Sequence, residues 1–401
     1  MRHFAVLGIV LGMIPPCFAQ DANVPRPQGV LADGVPKFTV RPGYRVSLVA
    51  QDLREARFLT FDDGGTLYVS QPQAGSILAL RDTDEDGSFE YVAPYVTDKK
   101  FVQAMQFRDG WLWFATSRGI FRARDTDNDG AADEVKPVVP EGSLPGDTGH
   151  WFRSLLVTDD AIYTSVGDSA NISDETNTER QKIWRFNHEG GDKKLFATGI
   201  RNAEELQVRP GTDEIWGFEH GSDEFGAHLG EGKGQLPVTS LYPPEEFNRY
   251  VEGGFYGHPF IVGHGLPRHE FATRKDILQL AAKATPPEWA LGAHWAPNGW
   301  TFLTKDAMPG HKGDAFVACH GSWNSARKVG YRIERVMFDA WTGRPYGSQM
   351  IVGTLSPDGK DVLGRPCDAA EAPDGAIFFT CDQTHRVYRL SHEKIDENQG
   401  H

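Results

Sequence analysis

The sequence predicts an all-β chain folded as a six-bladed β-propeller, with a long loop insertion between blades four and five. Three observations carry this. One strand–turn–strand pattern recurs six times along the chain. Glycine is frequent, at 44 of 401 residues, while only one or two helical patterns appear. A lone strand pattern, Tyr44 to Ala50, stands ahead of the first repeat, where it can supply the outer strand of the last blade and close the ring. A β-sandwich or a solenoid is the competing arrangement.

Taken in order, residues 1–19 read as a secretory signal. Arg2 charges the leading end, Phe4 to Met13 is apolar, and Cys17-Phe18-Ala19 offers a small-x-small cleavage site before Gln20. The apolar run is too short for a stable membrane span, so an exported protein, periplasmic or secreted, is expected. Residues 20–43 read as a linker, 44–392 as the propeller and 393–401 as a tail.

The six repeats run Phe58 to Leu80, Gln103 to Arg122, Phe152 to Trp184, Glu204 to Tyr250, Asn298 to Arg335, and Cys367 to Arg389. Each holds a strand, a turn with Gly or Asp, and a second strand rich in aromatic and β-branched residues. Multi-stranded repeats of ~40–50 residues are the length of propeller blades. The insertion, about Asp223 to Pro297, holds Pro243-Pro244, many glycines and one helical stretch near Asp276 to Ala284. A loop of that size on a compact scaffold suits a cover over a ligand mouth.

Bulk chemistry narrows the partners. A formal charge of −14 argues against nucleic acid and anionic membranes. It also makes any local cluster of Arg and Lys informative. Cleavage of the signal leaves Cys319, Cys367 and Cys381. Cys367 and Cys381 flank the Ala372–Gly375 turn almost symmetrically, so a cross-strand disulfide is expected between them. No Cys-x-x-Cys-His is present for covalent haem.

His150 and Arg201-Asn202 each lead into a strand of successive repeats. Equivalent positions in a circular array point at one axis, so a titratable base and a cation should meet there. His150 is a candidate general base. Asp168 ends the following strand and returns to the same rim, where a carboxylate could fix the imidazole tautomer. Arg327-Lys328 and Arg365 also sit at strand starts or turns; convergence of such cations would mark an anionic ligand. The run His320-Gly321-Ser322-Trp323-Asn324 joins a close backbone approach to a flat ring and an amide edge, which suits a sugar or a planar cofactor. Two runs resemble calcium loops: Asp82-x-Asp84-x-Asp86-Gly87-x-x-Glu90 and Asp125-x-Asp127-x-Asp129-Gly130-x-x-Asp133. Both lack the acidic twelfth position, which is Ala93 in one and Lys136 in the other, and a metal-free acidic turn is the alternative.

These residues resemble the soluble glucose/sorbosone dehydrogenase family, which binds pyrroloquinoline quinone (PQQ) in a six-bladed propeller. The resemblance covers roughly Tyr44 to Leu390. It is carried by His150 with Ser165-Val166-Gly167-Asp168, Ala197-Thr198-Gly199-Ile200-Arg201-Asn202, Glu219-His220-Gly221, Gly253-Gly254-Phe255-Tyr256-Gly257-His258-Pro259 and Gly364-Arg365-Pro366. The His-Gly-Ser-Trp-Asn run is closer to the sorbosone branch.

The resemblance implies roles. His150 matches the catalytic base and Asp168 the carboxylate orienting it. Arg201 and Asn202 match the pair beside the quinone oxygens. Lys328 and Arg365 match cations on the cofactor's carboxylates, and Gln103 falls near a polar cofactor contact. His320 and Trp323 join that cofactor-binding set. Gly221 and Ser222 match the residues whose backbone carbonyls hold the cofactor's Ca2+. His150 would take a proton from the sugar hydroxyl as hydride leaves for the quinone. Electrons would pass on to an external acceptor, a cytochrome or a quinone. The sequence departs from the family in carrying Cys367 where the glucose branch has a second Arg, and Ser222 where it has Pro. Two other readings stay open: a calcium-dependent propeller lactonase, and a non-catalytic binding propeller.

Overall fold

The computed structural model describes residues 28–146, 148–230 and 237–393. Six sheets, each with a four-stranded antiparallel core, are set around an axis. Blade one comprises Leu59–Phe61, Leu67–Gln71, Ser76–Arg81 and Tyr91–Val96. Blade two follows with Met105–Arg108, Trp111–Ala115, Ile120–Arg124 and Glu134–Val139. Blade three has Leu156–Val157, Ile162–Val166, Lys182–Phe186 and Lys194–Thr198. Blade four has Leu206–Val208, Ile215–Glu219, Glu245–Tyr250 and Trp289–Leu291. Blade five has Pro297–Phe302, Ala315–Cys319, Arg332–Phe338 and Pro345–Gly353. Blade six has Pro366–Glu371, Ile377–Cys381 and Arg386–His392, and its fourth strand is Tyr44–Ala50. That leading strand pairs antiparallel with Arg386–His392, Leu390 lying opposite Val46, so the chain's two ends close the ring in one sheet.

The strands form because their residues bury both faces. Successive side chains of a strand point to opposite sides. In the second strand of blade one, Leu67 and Val69 enter the apolar cluster shared with blade six, while Tyr68 enters the cluster shared with blade two. The same division recurs around the ring, giving one apolar cluster between each neighbouring pair of blades. A continuous apolar run such as Trp111–Ala115 is what such a doubly covered strand requires.

The long insertion runs through blade four itself. Residues 220–244 join that blade's second and third strands, and residues 251–288 join its third and fourth. Segment 223–297 therefore supplies the blade's outer half as well as a cover. The expected helix is present as Ile277–Lys283. Phe255, Phe260, Ile261 and Ile277 give the cover a small core of its own.

Two expectations are corrected. Residues 28–43, read as part of a linker, instead add short edge strands: Val30–Leu31 to blade six and Thr39–Val40 to blade five. Two-residue strands are too short to leave a sequence pattern. The expected disulfide is not formed, and Cys319, Cys367 and Cys381 are all free and buried. A bulge between Pro366 and Ala369 places Pro366, not Cys367, opposite Cys381. The two thiols consequently face different partners: the Asn298 side-chain amide lies 3.7 Å from Cys367 Sγ, while Cys381 Sγ accepts the Arg365 N–H at 2.9 Å. The expected signal, residues 1–19, lies outside the described residues, as do residues 394–401 of the expected tail.

Candidate functional site

The site is built on the rim where each blade's first strand begins and its second strand ends. His150 precedes the first strand of blade three, and Asp168 follows the second. The Asp168 carbonyl accepts both the His150 N–H and the ring Nδ1–H, each at 2.9 Å. Nδ1 thus carries the proton, and the lone pair is left on Nε2, which meets no hydrogen-bond partner among the described residues. Burial pushes the His150 pKa well below its ordinary value, and the Arg201 charge pushes it the same way. The imidazole is a neutral acceptor at physiological pH.

Small residues let this geometry form. A Cβ on Gly167 would lie 2.8 Å from both the Arg201 carbonyl and His150 Cβ. Gly149 has φ +65°, and a Cβ there would meet the Ser169 carbonyl at 2.2 Å. Arg153, buried, braces the segment by donating to the carbonyls of His150 at 2.9 Å and Phe152 at 2.8 Å.

The Asp168 carboxylate does not touch His150, contrary to expectation; the same residue orients the imidazole through its backbone. Its two oxygens accept from Ala170 N at 2.8 Å, Ser173 N at 2.9 Å, Gln181 Nε2 at 2.9 Å and His258 Nε2 at 2.6 Å. Burial works to raise its pKa, but the His258 hydrogen bond and these amides hold it well below the ordinary carboxylate range. His258, fully enclosed, is lowered by burial to about 4. The pair is a neutral imidazole donating to a carboxylate.

Arg201 is buried beside His150. Its Nε donates to the Asn171 carbonyl at 2.9 Å, Nη2 to Asn171 Oδ1 at 3.0 Å and Nη1 to the His220 carbonyl at 3.3 Å. No carboxylate among the described residues lies within ion-pairing distance of its guanidinium, so its charge is solvated by neutral dipoles and remains available to an anion. Asn202 donates to Glu204 Oε1 at 3.2 Å, and its buried Oδ1 has no partner among the described residues. Next along the rim, Gly221 N donates to Glu245 Oε2 at 2.7 Å and Ser222 Oγ accepts from Arg268 Nη1 at 2.6 Å. The carbonyl oxygens of Gly221 and Ser222 accept no hydrogen bond among the described residues.

Across the axis, Arg365 Nε donates to the His320 carbonyl at 3.2 Å, and its two terminal nitrogens have no acceptor among the described residues. His320 Nε2 faces Asp382 at 2.9 Å, as does Arg57 at 3.0 Å. Arg57 also reaches Glu204 at 3.7 Å. An unbroken polar chain, Asn202–Glu204–Arg57–Asp382–His320–Arg365, therefore crosses the mouth. His150, Asp168, Arg201, Asn202, Gly221, Ser222, His320 and Arg365 all lie on this rim.

Other expected residues are placed differently. Gln103 is fully buried and spends its amide on the His150 segment, donating to the Trp151 carbonyl at 2.9 Å and accepting from Arg153 N. It braces the segment that carries the base, and its side chain is enclosed there. Lys328 is exposed, with Nζ on the Lys360 carbonyl at 2.7 Å, and Trp323 is 58 % exposed. Neither joins the cluster. The acidic loops join the third and fourth strands of blades one and two, which puts them on the opposite rim from His150. Ligand atoms of Asp82, Asp84, Asp86 and Glu90 lie within 4.8 Å of one another, as do those of Asp125, Asp127 and Asp133. Asp129 is outside its group and caps the Ala131 N–H at 2.8 Å.

Arg57, Glu204, Asp382, His258 and Asn171 were missed as site residues. Arg57 was the most readable. It stands two residues ahead of its blade's first strand, as Gln103 and Glu204 do in theirs. His258 and Asn171 sit in loops whose partners come from other segments, and no spacing announces them.

The family described as TrAA12-like matches residues 38–393. An uncharacterized protein of Borreliella burgdorferi is 29% identical over 238 residues; the match spans 58% of this chain and only 58% of that relative's length. Solved structures share the fold at low identity. An iodide structure of the Trichoderma reesei carbohydrate-active enzyme family AA12 has TM-score 0.76 and 20% identity, covering 92% of this chain and 100% of that one. The holo PQQ domain of a pyranose dehydrogenase from Coprinopsis cinerea has TM-score 0.75 and 17% identity, over 90% and 100%. A PQQ-bound aldose sugar dehydrogenase from Streptomyces coelicolor has TM-score 0.60 and 15% identity, over 88% and 100%.

Proposed function

The chain belongs to the TrAA12-like family, and from that membership we propose that it is a PQQ-dependent quinoprotein that oxidises an aldose or related sugar aldehyde, with Ca2+ beside the cofactor and His150 as general base. The observation that carries the reading is the pairing of His150 Nε2, a neutral acceptor, with the unneutralised buried guanidinium of Arg201. Base and cation stand side by side on one rim, close enough for the Arg201 charge to act on the imidazole, which is what removal of a hydroxyl proton and of the hydride on its carbon needs.

The residues fit the cofactor. PQQ is a planar tricarboxylate, and the rim offers Arg201 and Arg365 with guanidinium nitrogens that no carboxylate satisfies. The carbonyls of Gly221 and Ser222, free of hydrogen bonds, fit a hard cation such as Ca2+. When bound, PQQ with its calcium supplies the electrophile that accepts the hydride. The remaining work belongs to the chain. His150 Nε2 takes the hydroxyl proton, and the Asp168 carbonyl holds Nδ1–H and so stabilises the imidazolium that forms. Arg201 offsets developing negative charge. Arg153 and Gln103 fix the loop that aims the ring. A lactonase built on this scaffold would need several carboxylates around the axis to hold a metal. The strand entries here carry Arg57, Gln103, His150, Arg201 and Arg365, and their one carboxylate, Glu204, faces Arg57 at 3.7 Å.

The electron acceptor is proposed to be an external cytochrome or quinone. A periplasmic or secreted location rests on residues 1–19. The acidic loops around Asp82 and Asp125 are proposed calcium staples on the far rim, apart from catalysis. The decisive test adds PQQ and Ca2+ to the purified protein. Absorbance titration should show binding, and a redox dye should be reduced with one or more of a panel of aldoses. Failure to bind PQQ, together with failure to reduce the dye with every aldose tried, would defeat the proposal.

A further inference from the structure

Beside the catalytic cluster lies a second cavity of about 480 Å3 that His150, Arg201 and Asn202 do not line. Its volume is in the range of small-molecule sites. The floor is aromatic. Trp151 and Phe152 stack with ring centroids 4.0 Å apart, and Phe101 packs edge-on against Trp151 at 5.0 Å. The half-exposed indole is therefore held rigid from beneath and from one side. The rim is polar: Gln73 and Gln383 are exposed, and Glu55 stands beside them. At the inner end the cavity meets the polar chain across the mouth at Arg57, Asp382 and Arg365. Arg57, whose guanidinium lies 4.4 Å over Phe152, is already paired with Asp382 at 3.0 Å.

A flat apolar floor under a rim of amides matches one chemistry in particular. A pyranose ring presents a face of C–H groups to an aromatic plane and an equator of hydroxyls to amide donors and acceptors. We propose that this cavity is a subsite for a neutral pyranose ring joined to the sugar being oxidised, so that the enzyme selects di- or oligosaccharides over monosaccharides. The inference rests on the sugar-oxidation reading of the cluster. A ring on Trp151 sits off the reacting position, because none of the reacting residues faces it. It must therefore be the neighbour of the ring that reacts.

The test uses the full chain without cofactor, so that binding is read apart from redox chemistry. Glucose, cellobiose, maltose and lactose are titrated by calorimetry and by tryptophan fluorescence. At least one disaccharide should bind about tenfold or more tighter than glucose, and Trp151→Ala should erase that advantage. A Gln73→Ala/Gln383→Ala double variant alters only exposed rim residues and will fold; it should weaken the same disaccharide several-fold and leave glucose unchanged. If no disaccharide outbinds glucose, or if the rim variant binds as the parent does, the subsite is overturned. Trp151-dependent binding in a protein that never reduces dye with PQQ and Ca2+ would leave the subsite standing and remove the redox reading instead.

Discussion

The carbonyl of Asp168 holds Nδ1 of His150 at 2.9 Å, so the hydrogen bond that fixes the base comes from a neutral group, and the carboxylate of the same residue acts on the ring only from a distance. A carboxylate in that place would raise the imidazole's basicity and draw protonation toward neutral pH. A carbonyl fixes the tautomer and leaves burial and Arg201 to depress the pKa.

His150→Ala should therefore keep the fold and bind cofactor but lose dye reduction by roughly 10²-fold or more. The activity of the parent should hold flat through pH 6, because only the neutral imidazole accepts a proton and the group stays neutral below the ordinary histidine range. Its acid limb should lie well under 6.5, the ordinary value. A limb centred at 6.5 or above contradicts the environment described for His150.

The buried histidines should cost stability as the solution is acidified from about pH 7 to 5. His150, His258, His311 and His320 all have lowered pKa values in the folded protein, each through burial first. Below the ordinary value of 6.5 the unfolded chain takes up protons that these sites refuse, and each such proton contributes up to about 1.4 kcal/mol per pH unit. His294, raised by Asp223 despite its burial, runs the other way, and so do Glu205, Glu219, Glu245, Glu246, Glu334 and Asp368, whose pKa values burial raises, so that the folded protein takes up protons there before the unfolded chain does. Asp168 adds a second loss below the ordinary carboxylate range, since its folded pKa is depressed. Melting temperatures of parent and His258→Gln at pH 7.5 and 5.5 isolate one such site: acidification should cost the variant less stability than it costs the parent, and an equal change in both proteins is the contrary result.

The blades were legible in the sequence because their signal is local. A strand covered on both faces shows as an apolar run, a hairpin as a Gly or Asp turn, and the ring closure as an unpaired strand at Tyr44. The rim residues His150, Arg201 and Arg365 were legible for the same reason, being equivalent positions in repeats. What could not be read depends on register or on distant segments. The bulge that moves Cys367 out of line with Cys381 leaves no compositional mark. The partner of the Asp168 carboxylate is ninety residues away, in the cover. Lys328 is close in sequence to the His320 rim position, yet its loop carries it outward to Lys360.

Reducing agent should leave the melting temperature unchanged, since the three described cysteines are free. Their burial pushes all three thiols up from the ordinary value, so they should stay inert to a thiol reagent in the native protein and react on unfolding. A drop of several degrees with dithiothreitol would instead mean that Cys367 and Cys381 are bridged in solution.

Lys328→Ala and Arg365→Ala should separate. The Lys328 ammonium is exposed and bound to a carbonyl on a surface loop, so its loss should alter PQQ affinity by no more than about twofold. Arg365 lies on the rim with open donors, and its loss should cost about tenfold or more. Equal losses in an absorbance titration would mean that the Lys328 loop closes over the cofactor.

Asn171 should prove to couple the cation to the calcium carbonyls. Its Oδ1 accepts from Arg201 Nη2 at 3.0 Å and from Asp223 N at 2.9 Å, while its Nδ2 donates to the Asp223 carbonyl at 3.0 Å. Asp223 follows Ser222, so one amide aims the guanidinium and anchors the backbone that presents the Gly221 and Ser222 oxygens. Asn171→Ala removes all three bonds. Hydrogen bonds to a charged group are worth about 1.5–3 kcal/mol, so PQQ affinity should fall about tenfold or more, and the Ca2+ concentration for half-maximal binding should rise in the same variant. Asn171→Asp separates the two contributions. It keeps an acceptor for Arg201 but neutralises the guanidinium and loses the donor to Asp223, so it should bind PQQ no better than the alanine variant although the arginine contact survives. Titration of both variants across a range of Ca2+ decides it. Parent-like affinity in Asn171→Ala at every Ca2+ concentration, or stronger binding in Asn171→Asp, would show that Arg201 and the carbonyl pair act independently of this residue.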